Sequence, residues 1–131
     1  MNIIVAYKQS RLSKKVLDLA KEHAKVFGAK MYLLSSLEGG GKESAEEIGN
    51  VKNDLEYARS LVEKDGIDCV PHLLIHGLTP GEDIIEFAKD NSADEIVVGV
   101  EKKSKVGKFL LGSNAQYIIL NAHCPVVTVK L

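Results

Sequence analysis

The sequence predicts a three-layer α/β/α sandwich built around a five-stranded parallel sheet. Two observations carry this prediction. Short runs rich in β-branched residues alternate with longer segments whose apolar residues recur every three or four positions, which is the pattern of strands joined by helical crossovers. The first run, from Ile3 to Ala6, is almost continuously apolar. Such a run suits a strand that helices cover on both faces, as in a parallel sheet.

The first half of the chain predicts three strands and two helices. The first helix keeps apolar residues at helical spacing, and its buried stripe is predicted to include Val26 and Phe27. Ser10 or Ser13 can cap its start, and Gly28 stands where a left-handed C-terminal residue is expected. These elements are strand 2–7, helix 10–27, strand 30–35, helix 44–64 and strand 67–75.

The second half adds two helices and two strands. Thr79 can cap the third helix because Pro80 follows it, and proline is favoured at the first helical position. Segment 101–108 is read as a charged loop, and Ile118 and Ile119 are predicted to face inward from the last helix. These elements are helix 80–91, strand 95–100, helix 113–122 and strand 126–130.

Composition narrows the classes of function. The 131 residues suit a single domain, 1–131. Lys and Arg number 17 against 18 Asp and Glu, and only three Phe, four Tyr and no Trp are present, which argues against polymeric nucleic acid as a partner. No apolar run approaches the ~20 residues of a membrane span. Two cysteines are too few for a secreted disulfide framework, so we expect a cytoplasmic protein without a membrane partner.

The fold class directs attention to two segments, 7–10 and 99–113. In a doubly wound sheet the ligand crevice lies beyond the carboxyl ends of the strands, where the strand order reverses. Gly99 ends a strand there, and Gly112 and Ser113 open a helix whose free N–H groups can receive an anion. A turn glycine followed by a serine cap is the alternative explanation of the same residues.

Four segments together match a known pattern. The second of the two crevice segments has the spacing Gly-x2-Gly-x9-Gly-Ser, with Lys102 in the place of the second glycine. A strand followed by Ser10 opens the chain, and a Cys-Pro-Val-x-x-Val segment closes it. The four segments are 3–10, 77–80, 99–113 and 122–129. In this combination the whole chain resembles the universal stress protein family.

The resemblance implies the adenine nucleotide alpha-hydrolase-like, Rossmann-like fold with strand order 3-2-1-4-5. It also implies a homodimer that pairs through strand 126–130 and, in one branch of the family, binding of ATP or AMP. The glycine loop then holds the phosphates, and residues after the first two strands meet adenine and ribose. The resemblance assigns to the nucleotide Ala6, Tyr7, Lys8, Ser10, Ser36, Val98, Gly99, Lys102, Gly112, Ser113 and Asn114.

Two of these positions depart from the family pattern. Lys8 stands where the family has an acidic residue, and an ammonium group cannot accept a hydrogen bond from a ribose hydroxyl. Lys102 brings a side chain to a glycine position, and Lys103, Lys105 and Lys108 follow in the same loop. These lysines either meet a phosphate through charge-assisted contacts or form a solvated basic loop.

Three functions remain open. The leading one is a module that binds AMP or ATP and acts in stress response or signalling. The second is a nucleotide-independent dimeric module that recognises an unidentified protein partner. The third is a slow ATPase, with Mg²⁺ present only where ATP is bound, and the absence of a carboxylate after the first strand weakens it.

The sequence supplies no catalytic or metal-ligating set. No general base is evident at the crevice, and neither a nucleophile elbow nor a P-loop pattern occurs. His72 and His76 share a strand face, but four residues of strand separate them by ~13 Å, which is too far for one metal ion. We therefore expect neither a catalytic residue nor a metal ligand.

Overall fold

The structure is a computed structural model that describes residues 1–101 and 111–130 in full and residues 103–105 and 108–110 by their backbone alone. Helices and strands alternate along most of this part of the chain. Its elements are β1 (Asn2–Ala6), α1 (Ser13–Phe27), β2 (Lys30–Leu37), α2 (Ala45–Glu63), β3 (Cys69–Ile75), α3 (Pro80–Asp90), β4 (Glu95–Gly99), β5 (Lys103–Lys105), β6 (Lys108–Leu110), α4 (Ser113–Asn121) and β7 (Val126–Val129).

The main sheet has five parallel strands in the order β3-β2-β1-β4-β7. The predicted sheet and its 3-2-1-4-5 order are therefore confirmed. In register, Ala6 at the end of β1 lies between Leu34 of β2 and Val98 of β4. The chain winds outward from β1 in both directions, so the carboxyl ends of β1 and β4 flank the switch point where a crevice is expected.

Two apolar cores cover the two faces of the sheet. Ile3 and Val5 face the core built with α1 and α2, whereas Ile4 between them faces the core that includes residues of α3 and α4. All three side chains are fully buried. This alternation explains the continuous apolar run of β1, because both of its faces are covered.

The capping predictions are confirmed at two helix ends and wrong at one. Thr79 forms a capping box with Glu82 at the start of α3, and Gly28 ends α1 with a φ of 61°. The start of α1 differs from the prediction because Leu12, not a serine, is its N-cap residue. The Ser10 hydroxyl instead accepts a hydrogen bond from the N–H of Leu12 at 3.2 Å, within a turn that precedes the helix. Ser44 caps α2 through the N–H of residue 47.

Several apolar side chains predicted to be buried are exposed. Val26 and Phe27 at the end of α1 are 76% and 54% exposed, and Ile119 of α4 is 40% exposed. The prediction placed the apolar stripe of α1 about one residue away from the row that meets the sheet, because periodicity fixes a spacing better than a facing direction. The buried residues of α1 are Val16, Leu17, Ala20 and Ala24. Among the described helices, none combines the length and the apolar character needed to cross a membrane.

The segment after β4 contains a hairpin that the sequence analysis read as a loop. Strands β5 and β6 pair antiparallel, with Ser104 opposite Phe109. The sequence signal was weak, because residues 106–107 are Val-Gly, whereas two-residue hairpin connections favour Asn-Gly, Asp-Gly or a leading glycine. The four lysines between residues 102 and 108 favoured the prediction of a loop, since runs of charged residues usually form loops.

The outer edge of β3 carries a proline. The N–H of Met31 donates to the carbonyl of Asp68 at 2.8 Å, so Asp68 turns its backbone groups toward β2. Successive residues of a strand turn their backbone groups to alternate sides, so Pro71 turns toward the open edge. A proline at that position offers no N–H to another strand.

Candidate functional site

The end of β1 is held by backbone contacts to β2. The N–H of Tyr7 donates to the carbonyl of Leu34 at 2.8 Å, and the carbonyl of Tyr7 accepts a hydrogen bond from the Ser35 hydroxyl at 2.8 Å. The Tyr7 ring is buried in the core on the α1 side, and its hydroxyl donates to Gln9. Burial raises the pKa of this phenol. The side chain of Tyr7 is therefore part of the core. Its sequence neighbours Ala6 and Lys8 are the residues with exposed surface at the crevice.

Ala6, Lys8 and Ser10 lie on or after the same strand. Ala6 is half-buried at the switch point, and Lys8 is exposed. Ser10 is half-buried, and its carbonyl accepts from both the N–H and the hydroxyl of Ser13. The loop after β1 thus brings one exposed ammonium group to the edge of the crevice.

Gly99 at the end of β4 is explained by packing. A Cβ atom placed there would lie 3.1 Å from Cγ2 of Val16 and 3.4 Å from Cβ of Leu12. The residues at the start of α1 therefore pack closely against this strand end, and a larger residue there would require Val16 to shift by a few tenths of an ångström. The neighbouring Val98 is buried in the opposite core. The described neighbours of Gly99 thus give it a packing role, and its assignment to a nucleotide stays a prediction.

Gly112 has open space where Gly99 does not. Among the side chains that the structure describes, a Cβ atom built at Gly112 would meet nothing within 4 Å. Gly112 is the N-cap residue of α4, in extended conformation and without a side-chain capping bond, and Ser113 beside it is exposed. The alternative of a serine cap therefore does not hold. The first N–H groups of α4 and the positive end of its dipole are available to an anion.

Asn114 is engaged with a neighbouring helix. Its side-chain carbonyl Oδ1 accepts a hydrogen bond from the N–H of Gly81 at 3.0 Å, which links the first turns of α3 and α4. A Cβ atom at Gly81 would lie 3.1 Å from Cβ of Tyr117, so the two helices are in close contact there. This hydrogen bond thus fixes the start of α4 against α3, and it already engages the side-chain oxygen of Asn114.

Ser36 near the end of β2 belongs to a cluster that the sequence analysis missed. Its hydroxyl donates to Oδ2 of Asp83 at 2.7 Å, and Oδ1 of Asp83 accepts from Nδ1 of His76 at 2.7 Å. Asp83 is only 1% exposed, whereas His76 is exposed. The hydrogen bond to Asp83 and the charge of that carboxylate raise the pKa of His76. An Asp beside two isoleucines on the buried face of α3 was the available signal, since a buried charge needs partners.

Lys102 lies outside the described residues, as do the side chains of Lys103, Lys105 and Lys108. Their assignment to the phosphates stays a prediction. Between residues 1 and 101 and between 111 and 130, no group of three His, Cys, Asp or Glu side chains is arranged to hold a metal ion.

His72 and Cys69 lie in packed surroundings that give each of them a structural role. His72 stacks on Tyr32 with ring centroids 6.2 Å apart and lies 5.2 Å from the ring of Phe87. Cys69 is buried, and that burial raises the pKa of its thiol to about 12. Cys69 is thus a small core residue, and its thiol is unreactive at neutral pH. Burial also raises the pKa of Cys124.

The fold and the crevice define a doubly wound α/β protein with an open helix N-terminus at its switch point. A model of the universal stress protein family matches residues 1–130, and the chain belongs to that family. A universal stress protein of Thermus aquaticus is 32% identical over 136 residues, covering 98% of this chain and 97% of that protein. One from Methanocaldococcus jannaschii is 40% identical over 76 residues, and the chain spans 44% of that longer relative.

Solved structures agree with this assignment. A universal stress protein from Archaeoglobus fulgidus superposes with a TM-score of 0.89 at 38% identity, covering 99% of this chain and 93% of that one. A second structure, of a universal stress protein from the same organism in complex with dAMP, superposes with a TM-score of 0.82 at 34% identity. That superposition covers 98% of this chain and 96% of the other.

Proposed function

We propose that this protein is a binding module for an adenine nucleotide, AMP or ATP, which it holds beyond the carboxyl ends of β1 and β4. The observation that carries the proposal is the dAMP complex of the Archaeoglobus fulgidus relative, which shares nearly the whole fold at 34% identity. The open N-terminus of α4 at the switch point supports it, because its N–H groups suit a phosphate.

The proposed site has a phosphate side and a base side. On the phosphate side, Gly112 leaves room for close approach and Ser113 is exposed beside the first N–H groups of α4. On the base side, Ala6 and Ser36 end neighbouring strands. Lys8 brings positive charge instead of a carboxylate, which favours contact with a phosphate over contact with ribose hydroxyls.

A regulatory role in stress response or signalling, in the cytoplasm, fits this site better than rapid catalysis. The described part of the crevice offers one ammonium group, Lys8, and no carboxylate positioned to activate water. We place Mg²⁺ in the site only together with ATP, as a companion of the phosphates. A slow ATPase stays the weaker alternative, and phosphate release in the presence of Mg²⁺ and ATP tests it.

Calorimetric titration with AMP and with ATP tests the proposal. We expect saturable heat with at least one of them and a dissociation constant below about 1 mM, equivalent to roughly 4 kcal/mol of binding free energy. A thermal shift that grows with nucleotide concentration is expected alongside, since ligands that bind the folded state stabilise it. Absence of both heat and thermal shift at millimolar nucleotide would contradict the proposal.

We also propose that two copies pair through β7. The N–H of Val100 donates to the carbonyl of Val129 at 2.8 Å, so the alternation of the ladder turns the backbone groups of Val126 and Thr128 to the open edge. This edge carries donors as well as acceptors at both outward positions, whereas Pro71 removes one of the outward donors from the edge of β3. Leu120 on the preceding helix is 79% exposed and adds apolar surface.

Replacing Thr128 by proline is expected to convert the dimer into a monomer. The change removes an outward N–H from the pairing edge and leaves the bonds between β4 and β7 intact. Sedimentation velocity at tens of micromolar protein measures the outcome. The matched control is Ile75→Pro, which removes an outward N–H from the opposite edge and is expected to leave the dimer unchanged. A monomeric parent protein, or dissociation by the control alone, contradicts pairing through β7.

A stable dimer that binds no nucleotide favours the second candidate function, a nucleotide-independent module for a protein partner. The open β7 edge is the observation that supports it, since edges also pair with other chains. The two titrations and the sedimentation experiment together separate the candidates.

A further inference from the structure

Asp83 is a buried carboxylate whose two oxygens are held by residues from different parts of the chain. It is 1% exposed and lies in the first turn of α3. Its Oδ2 accepts from the uncharged hydroxyl of Ser36 on β2, and its Oδ1 accepts from Nδ1 of His76 in the turn after β3, each at 2.7 Å. Within the described part of the chain, His76 is the one side chain that forms an ion pair with Asp83. Compensation of this buried charge by a cation therefore depends on His76.

His76 differs from its partner in access to water. Its side chain is 60% exposed, so the ring can exchange protons with solvent in the folded protein. Its hydrogen bond to Asp83 and then the charge of that carboxylate raise the pKa of His76, and Glu86 on α3 adds to this effect. The other acid in the first turn of α3, Glu82, is bonded to Thr79 instead. The proton of His76 is thus controlled chiefly by the buried carboxylate.

The two protonation states of His76 offer Asp83 different partners. The imidazolium is charged and carries an N–H on both nitrogens, so Nδ1 donates to the carboxylate. The neutral ring has no charge and one N–H, which lies on Nδ1 in one tautomer and on Nε2 in the other. A buried carboxylate without a charged partner is costly, and opening of the turn would give it water instead.

The turn between β3 and α3, residues 76–79, contains a residue that permits such an opening. Gly77 has a φ of 72°, and in the described part of the chain nothing lies within 4 Å of a Cβ atom built there. Beyond the turn, the N–H of Gly81 donates to the uncharged amide of Asn114, which joins α3 to α4. The bond to Asp83 therefore closes a loosely packed turn that leads directly into a helix contact.

We propose that protonation of His76 closes the turn between β3 and α3 onto Asp83, and that loss of this proton releases the turn. The pair is then a pH-sensitive device that acts without a nucleotide. Because the pKa of His76 is raised in the folded protein, the stability gained from its charge is complete below the ordinary histidine value of ~6.5. That stability is lost as the pH rises through the raised pKa of the folded state.

NMR titration of the imidazole signals in the full chain tests the charge of the pair. We expect the His76 ring to titrate above the ordinary value of ~6.5. Asp83→Asn is expected to lower this midpoint, because an amide carries no charge. Ser36→Ala leaves the bond between His76 and Asp83 in place and is expected to keep the midpoint raised. A parent midpoint at or below the ordinary value overturns the proposal.

Amide hydrogen exchange measures whether the turn opens. The N–H of Asp83 donates to the carbonyl of Thr79 at 3.0 Å, and the N–H of Gly81 donates to Asn114, so both amides report on the start of α3. We expect their protection factors, corrected for the intrinsic rate at each pH, to fall about threefold or more between about pH 6 and about pH 9. Hydrogen bonds to charged groups are roughly twice as strong as neutral ones, which gives the expected size of the effect.

Variants of His76 separate its charge from its packing. His76→Gln does not titrate and His76→Lys stays charged over this range, so protection is expected to be independent of pH in both. The matched control is His72→Gln, which removes another exposed imidazole from β3, one that stacks on Tyr32, and is expected to keep the pH dependence of the parent. Circular dichroism verifies that each variant is folded. Constant protection in the parent, pH dependence that persists in His76→Gln, or its loss in His72→Gln overturns the proposal.

Discussion

Replacing Gly112 by aspartate is expected to stabilise the fold and to weaken nucleotide binding at the same time. Gly112 is the N-cap residue of α4 and makes no side-chain capping bond, and in the described part of the chain nothing lies within 4 Å of a Cβ atom built there. An aspartate at this position can cap the first N–H groups and complement the helix dipole, which together add roughly 0.5–1 kcal/mol. The same carboxylate occupies the place proposed for a phosphate, and like charges a few ångströms apart repel by about 1–4 kcal/mol. We therefore expect nucleotide affinity to fall about tenfold or more.

Gly112→Asn is the matched control for this prediction. Asparagine caps helices about as well as aspartate but carries no charge. We expect a similar gain in stability and a smaller loss of affinity. Urea unfolding measures the first quantity, and calorimetric titration with AMP measures the second. Undiminished affinity in the aspartate variant would falsify the placement of the phosphate at α4.

Replacing Ile4 by alanine is expected to cost about 2–5 kcal/mol of unfolding free energy. Ile4 is fully buried on the central strand, between neighbours on β2 and β4. Removing its side chain loses the transfer free energy and leaves a cavity that the surrounding sheet cannot close.

The control replaces an isoleucine that is partly exposed instead of fully buried. Ile119 on α4 is 40% exposed, and Ile119→Ala is expected to cost less than about 1 kcal/mol. Urea midpoints at one fixed protein concentration measure both variants, since pairing of copies would shift stability with concentration. Equal losses in the two variants would show that the core is not organised around β1.

The alternation of strands and helices could be predicted because its causes are local. An apolar run such as Ile3 to Ala6 reports burial on both faces, and the Thr79–Pro80 pair marks a helix start through contacts within one turn. The order of the strands is a property of the whole sheet. It followed from the resemblance to a family and not from the spacing of apolar residues.

The connections within the candidate site could not be predicted in the same way. The bond from Ser36 to Asp83 joins residues 47 positions apart, and the bond from Gly81 to Asn114 joins residues 33 apart. No local pattern reports such partners, because they meet only when strands and helices are packed. The packing of α1 against Gly99 is of the same kind, since it depends on a helix and a strand that meet only in the folded chain.

Pro71 has a consequence for how far these molecules can assemble. Growth of a sheet by repeated addition of chains requires two receptive edges on each unit. A pair joined through β7 would present β3 at both outer ends, and each of these ends carries a proline in place of a backbone donor. A further chain added at either end would then lack one backbone hydrogen bond, which disfavours growth of the ten-stranded sheet into a fibre. The proline on β3 thus makes this edge a poorer template for another strand than an edge with all its donors.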